Sequence, residues 1–211
     1  MATQSSPTEF YYPNRMGRIL LLSMEEILGQ AALTTLLDRA GAADRIENYP
    51  PLTQALEFPF RTVARLQAAL EELYGPRGGR GLALRVGRAS FLGGLREFGP
   101  HLGLTDAAFR LLPLPAKIKI GAGAFAELFN KFSDQRVRLE ENSTQITWHI
   151  ERCPVCWERH TEEPACHLAV GLLQESLYWV SGGKLFHVEE IACHARGDSD
   201  CSILIDKTPL G

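Results

Sequence analysis

Cys166-His-Leu-Ala-Val-Gly171, then Val188-Glu-Glu190-Ile-Ala-Cys193, then Gly197-Asp198-Ser-Asp-Cys201-Ser-Ile203: these three runs decide how the chain reads. The first opens a helical segment of about Pro164 to Val180, and the other two sit at the facing ends of two short apolar-alternating runs, 185–192 and 201–206. Gly197-Asp198-Ser199-Asp200 between those runs has turn chemistry, so they pair as an antiparallel hairpin. All five cysteines, Cys153, Cys156, Cys166, Cys193 and Cys201, fall in the last sixty residues. Segregation of this kind points to one sulfur-rich site rather than to scattered core thiols.

Upstream, Val137 and Leu139 alternate with charged residues, and Ile146, Trp148 and Ile150 alternate with Thr147 and His149. Separated by Asn142 and Ser143, these runs form another hairpin. Before residue 133 the period is helical. Ser23 and Glu26 have capping-box spacing ahead of an apolar face that runs to Leu37, with Gly41 suited to the stop. Val63, Leu66, Leu70 and Leu73 predict a helix over 60–74, residues 82–98 a third and 105–112 a fourth. A stripe of Ile118, Gly121, Phe125, Phe129 and Phe132 predicts a core-facing helix over 117–132, with a ligand-facing wall as the sharper alternative. Gly75 to Gly81 reads as a loop without the Lys-Ser/Thr ending of a phosphate loop. The expected fold is therefore α+β: an N-terminal helical layer on a small antiparallel sheet with β-β-α-β-β order at the C-terminus. Residues 1–15 read as a flexible tail and 16–211 as a single domain.

A net charge of −3, with 45% apolar and 22% charged residues, describes an ordinary globular chain and gives no support for whole-surface attraction to nucleic acid or anionic lipid. No stretch has the length and apolarity of a membrane span or a signal peptide, so the expected location is cytoplasmic. Thiols stay reduced there, and an odd number of clustered cysteines then favours metal over disulfides.

Cys166, Glu190, Cys193 and Cys201 make a tetrahedral Zn2+ set of three thiolates and one carboxylate, filled and hence structural. Positions 190 and 193 differ by an odd number, so the strand must end or bulge near Ala192 for both to reach one ion. Cys153-Pro-Val-Cys156 is a rival half-site that His160, His167 or His194 could complete. The preferred reading for that pair is a packed loop at the hairpin end.

Gly121-Ala-Gly123-Ala-Phe-Ala126 satisfies a dinucleotide fingerprint with Glu140 and Glu141 downstream, but lysines alternate through the would-be first strand and no βαβ units follow. No nucleophile or acid/base pair is positioned by the sequence, so the reading leans away from an enzyme.

The quoted runs resemble the 4-vinyl reductase domain family, named for a protein linked to bacteriochlorophyll vinyl reduction. Most of its members are small-molecule or hydrocarbon-binding modules. The resemblance extends to the sensory domains of phenol-responsive activators, and the fold is similar to subunits of the vesicle-tethering complex TRAPP, which pair as dimers. It is specific over 144–206 and looser back to about residue 17. It implies zinc on Cys166, Glu190, Cys193 and Cys201, an aromatic-ligand pocket with Trp148 as a lining residue, and homodimerisation. Phe125 and Phe129 are the further candidates for that pocket. The expected function is a zinc-stabilised sensor or carrier of a hydrophobic or aromatic small molecule, with output through a separate signalling partner. The alternative is a nicotinamide-dependent reductase of a tetrapyrrole vinyl group.

Overall fold

The computed structural model describes residues 9–99 and 107–210. Its fold is α+β, with a helical layer laid over a four-stranded antiparallel sheet. The helical layer consists of α1 (Asn14–Leu28), α2 (Gln30–Arg39), α3 (Phe60–Phe98), α4 (Ala107–Arg110) and α5 (Leu114–Phe132). The sheet takes β3 (Arg136–Glu141), β4 (Gln145–Arg152), β5 (Phe186–Ala192) and β6 (Cys201–Pro209) in the order β3-β4-β6-β5, with α6 (His167–Ser181) crossing between the two hairpins.

The N-terminal residues 9–15 are ordered, against the expectation of a tail. Strand β1 (Tyr11–Pro13) pairs with β2 (Leu56–Pro59). The Tyr11 amide donates to Asp134 Oδ2 at 2.8 Å and the Tyr12 hydroxyl to Gln135 Oε1 at 2.5 Å. These long-range bonds tie the segment to the end of α5, which local composition does not reveal. The rest of the expected tail, residues 1–8, lies outside the described residues.

The single first helix expected beyond Ser23 is two helices. Ser23 lies inside α1 with its hydroxyl on the Ile19 carbonyl at 2.8 Å, so it caps nothing. The break falls at Gly29, whose φ of 81° is one that glycine adopts without strain. The expected loop over 75–81 shrinks to one residue in the same way. Gly75, at φ 72°, turns the chain and Pro76 restarts the helix in its first turn, where a missing N–H costs nothing. Residues 60–74 and 76–98 are thus the two arms of α3, meeting so tightly that a Cβ on Gly79 would lie 2.6 Å from the Glu71 Cα. Of the fourth expected helix, 107–110 is present and 105–106 lie outside the described residues.

Both hairpins form where the alternation placed them. Asn142 Oδ1 accepts the amides of Thr144 and Gln145, closing the β3–β4 turn. Ile146, Trp148 and Ile150 of β4, with Ile203 and Ile205 of β6, are buried on the face turned to the helices.

The most extensive interhelical packing joins α3 to α6. It is set by two glycines. A Cβ on Gly171 would lie 2.1 Å from the Leu84 carbonyl oxygen, and one on Gly87 2.1 Å from that of Leu168. The helices therefore touch backbone to backbone, which only residues without a side chain permit. The fingerprint Gly121 to Ala126 lies inside α5, with no strand before it and no phosphate-binding turn.

Candidate metal centre and adjoining cavity

Helix α6, the β5–β6 connection and the loop after β4 converge at the lower end of the sheet. Cys166 is the N-cap of α6, Cys193 follows the last residue of β5, and Cys201 begins β6. Pairing between β5 and β6 shifts register between Glu190 and Ala192, the irregularity that the odd spacing of 190 and 193 demands. The donor atoms of Cys166, Glu190, Cys193 and Cys201 all lie within 4.8 Å of one another. The Cys166 sulfur is 3.8 Å from that of Cys193 and 3.7 Å from that of Cys201. A Zn–S bond of about 2.3 Å implies a tetrahedral edge of about 3.8 Å, so the thiols are spaced for a zinc-class ion.

Glu190 supplies the second indication. One carboxylate oxygen accepts the Cys166 amide at 2.7 Å, while Oε1 is buried with no hydrogen-bond partner. Burial, and then the neighbouring Cys193, push this carboxyl up to about 9. A cation among the thiolates would give the orphaned oxygen a partner and favour the ionised form.

The knuckle that carries Cys193 is built by the Gly-Asp pair. Gly197 turns the chain at φ 102°, and Asp198 Oδ2 accepts the Cys193 amide at 2.8 Å and the Arg196 Nε at 2.9 Å. Those donors hold the Asp198 carboxyl below the usual range. The His194 amide lies 3.3 Å from the Cys201 sulfur, a donor directed at a thiolate. Asp198 thus orients the site without belonging to it, a role the sequence reading confined to turn formation.

Cys153 and Cys156 join the same cluster. Their sulfurs lie 3.4 Å from Cys166 and 3.3 Å from Cys201, and the four thiols make a second set with all donors within 4.8 Å. This replaces the packed-loop reading, and neither four-donor set among the described residues includes His160, His167 or His194. The loop is drawn in by contacts distant in sequence. Arg61 grips Glu158 through two bonds of 2.7 and 2.9 Å, Arg159 reaches Glu71 at 2.6 Å, and Trp157 packs edge-on to Phe10 at 5.1 Å.

An apolar cavity of about 90 Å3 lies alongside, enclosed by α1, the second arm of α3, α5 and α6. Phe125 and Phe129 of α5 line it, as the sharper reading of their stripe expected. Trp148 stands behind them, with ring centroids 5.6 Å from Phe125 and 6.4 Å from Phe129. It lines two smaller cavities of about 30 Å3 each instead. Phe125 separates the main cavity from one of these, and Phe129 and Leu172 from the other, so rotamer changes in three side chains connect them. The sequence reading missed Ser90. Its hydroxyl is buried, lines the main cavity and has no hydrogen-bond partner. A lone serine in a helical run carries no signal of that kind.

On the outer face of the sheet, His149 Nδ1 is 2.9 Å from the Ser202 hydroxyl and 3.1 Å from Asp200 Oδ2. Both meet the same ring nitrogen, so the imidazole cannot relay a proton from serine to carboxylate through its two nitrogens.

The family model of the 4-vinyl reductase domain matches residues 146–207, a span that contains all five cysteines, α6 and the second hairpin. This segment is a 4-vinyl reductase domain. Together with the helical layer it shares its fold with H-NOX proteins. Cs H-NOX aligns at TM-score 0.60 and 14% identity over 94% of this chain and 98% of that one. An H-NOX protein from S. oneidensis in its Fe(II)NO ligation state aligns at TM-score 0.57 and 13% identity, covering 92% and 99%. The phenol-responsive sensory domain of the transcription activator PoxR matches at TM-score 0.47 and 20% identity, covering 68% and 73%. No curated protein sequence matches the chain. No helix among the described residues is long and apolar enough to cross a membrane.

Proposed function

We propose that this protein is a small-molecule sensor or carrier, and that the cavity between α3, α5 and α6 receives a compact hydrophobic or aromatic molecule with one hydrogen-bonding group. The observation that carries this reading is the buried, unpartnered Ser90 hydroxyl on an otherwise apolar wall. Leaving a hydroxyl unpaired in such surroundings costs roughly 1–3 kcal/mol, which a ligand's polar atom would recover. About 90 Å3 is well below the roughly 300–1,000 Å3 of sites for drug-sized molecules, so the favoured ligand is about the size of one ring.

Zinc on Cys166, Glu190, Cys193 and Cys201 would hold the start of α6, the helix that supplies Leu168 and Leu172 to the cavity wall. Its part is structural: four protein donors leave no open position for water. Homodimerisation, and a separate signalling partner as output, belong to the same proposal.

Titration calorimetry with phenol, indole and toluene tests the ligand reading. Binding of the hydroxyl- or N–H-bearing rings in preference to toluene, with Ser90→Ala abolishing the preference, is the expected result. No heat with any of the three at millimolar concentration, from protein with a cooperative melt, would refute it. Elemental analysis tests the metal, and less than half an ion per chain would remove it. Sedimentation equilibrium tests the dimer.

A further inference from the structure

Five buried thiols and one largely buried carboxylate are more donors than one tetrahedral ion can use. They divide into two complete sets. Cys153 and Cys156 close one set with Cys166 and Cys201, and Glu190 and Cys193 close the other with the same two cysteines. The sets share a single edge, the Cys166–Cys201 pair, whose sulfurs are 3.7 Å apart.

We propose that the chain binds two divalent ions of the zinc class as one edge-sharing thiolate cluster. Cys166 and Cys201 bridge the ions, Cys153 and Cys156 complete the first, and Glu190 and Cys193 complete the second. The proposal rests on the metal reading above and adds the second ion to it.

Three considerations support the division. Each ion receives four donors and no sulfur is left over. The spacings fit as well: the Cys166–Cys193 and Cys166–Cys201 separations of 3.8 and 3.7 Å match the tetrahedral edge of about 3.8 Å. Those of Cys153 to Cys166 and Cys156 to Cys201, 3.4 and 3.3 Å, need to open by about half an ångström, within reach of side-chain rotation.

The third consideration is charge. One ion held by three thiolates and the carboxylate leaves a buried net charge of −2, with Cys153 and Cys156 protonated. Adding a second divalent ion while those two thiols release their protons leaves the net charge at −2. The second ion thus enters with no added buried charge, and it replaces two weak S–H contacts by coordinate bonds.

Metal content of the whole chain, by plasma mass spectrometry after zinc-supplemented expression, is the first measurement. Two ions per chain are expected, falling to one in the Cys153→Ser/Cys156→Ser double variant. Titration of metal-stripped protein with Co2+ is the second. Cobalt–thiolate absorbance should break at two equivalents. The electron paramagnetic signal should rise to one equivalent and fall towards two, as ions sharing thiolates couple.

One ion in the wild type, kept in the double variant, overturns the second ion and leaves the single-site reading standing. One ion in the wild type, lost in that variant, overturns both and assigns the metal to the four cysteines alone. No metal at all also overturns both. Two ions whose signal grows linearly to two equivalents overturn the bridging. The cobalt titration uses wild-type protein, so the bridging test survives even if the double variant fails to fold.

Discussion

Replacing Gly171 by alanine tests the backbone contact on which α6, and with it both the sulfur cluster and the cavity, is positioned. The added methyl would sit 2.1 Å from the Leu84 carbonyl oxygen and 2.8 Å from its Cα and carbonyl carbon. Ordinary contact begins near 3.4 Å, so α6 must retreat from α3 by about 1.3 Å. The Gly87 contact on the same crossing opens with it. Overpacking of this kind costs up to about 3 kcal/mol when rigid backbone is the obstacle. Alanine's helix propensity returns about 1 kcal/mol. The net loss is about 2 kcal/mol, which for a chain of this size lowers Tm by about 4–8 °C.

Gly81→Ala is the control. Gly81 lies on the same arm of α3, is exposed, and its Cβ would meet nothing within 4 Å. That variant should gain about 0.5–1 kcal/mol and melt about 1–4 °C higher. Melts followed by circular dichroism compare the two directly. Gly171→Ala melting at or above wild type would refute the close-packing argument. So would an equal loss in Gly81→Ala.

Trp148→Ala should cost about 3–5 kcal/mol, since the ring is 2% exposed and packs on Phe125 and Phe129. Chemical denaturation measures it, and a loss below about 1 kcal/mol would contradict the packing. Gly94→Leu should abolish binding of indole while leaving Tm unchanged or higher, because Gly94 borders the cavity and its Cβ would meet no atom within 4 Å; unaltered binding would place the ligand elsewhere. Asp198→Ala removes the acceptor of the Cys193 amide and should speed zinc transfer to a chromogenic chelator by about 10-fold or more, leaving the ion count unchanged. A melt with and without 1,10-phenanthroline should show a lower Tm in the chelated protein, since the ion's binding energy is folding energy.

Local pattern carried much of the fold. Alternation at 146, 148 and 150 placed β4, turn chemistry at Asn142 placed the first hairpin, and the helical stripe through Phe125 and Phe129 placed α5. The parity of 190 and 193 even demanded a strand irregularity before any backbone was known. Breaks at Gly29 and Gly75 escaped the same reading, because one residue at positive φ redirects a helix and leaves almost no compositional trace. Gly171 lay within a quoted run, yet its purpose is a contact with Leu84, far away in the chain.

By itself the sequence determined the residue types of the metal centre, the α+β order and the faces that become core. Those follow from periodicity and from the chemistry of thiolates and carboxylates, which are local properties. Tertiary structure alone decided that Cys153 and Cys156 belong with Cys166 and Cys201, and that Ser90 faces a cavity. The physical reason is that both depend on contacts across the chain: Arg61 on Glu158 and Arg159 on Glu71 bring the loop in, and two glycines let α6 lie against α3. Convergence of that kind is a property of packed elements, and no stretch of residues contains it.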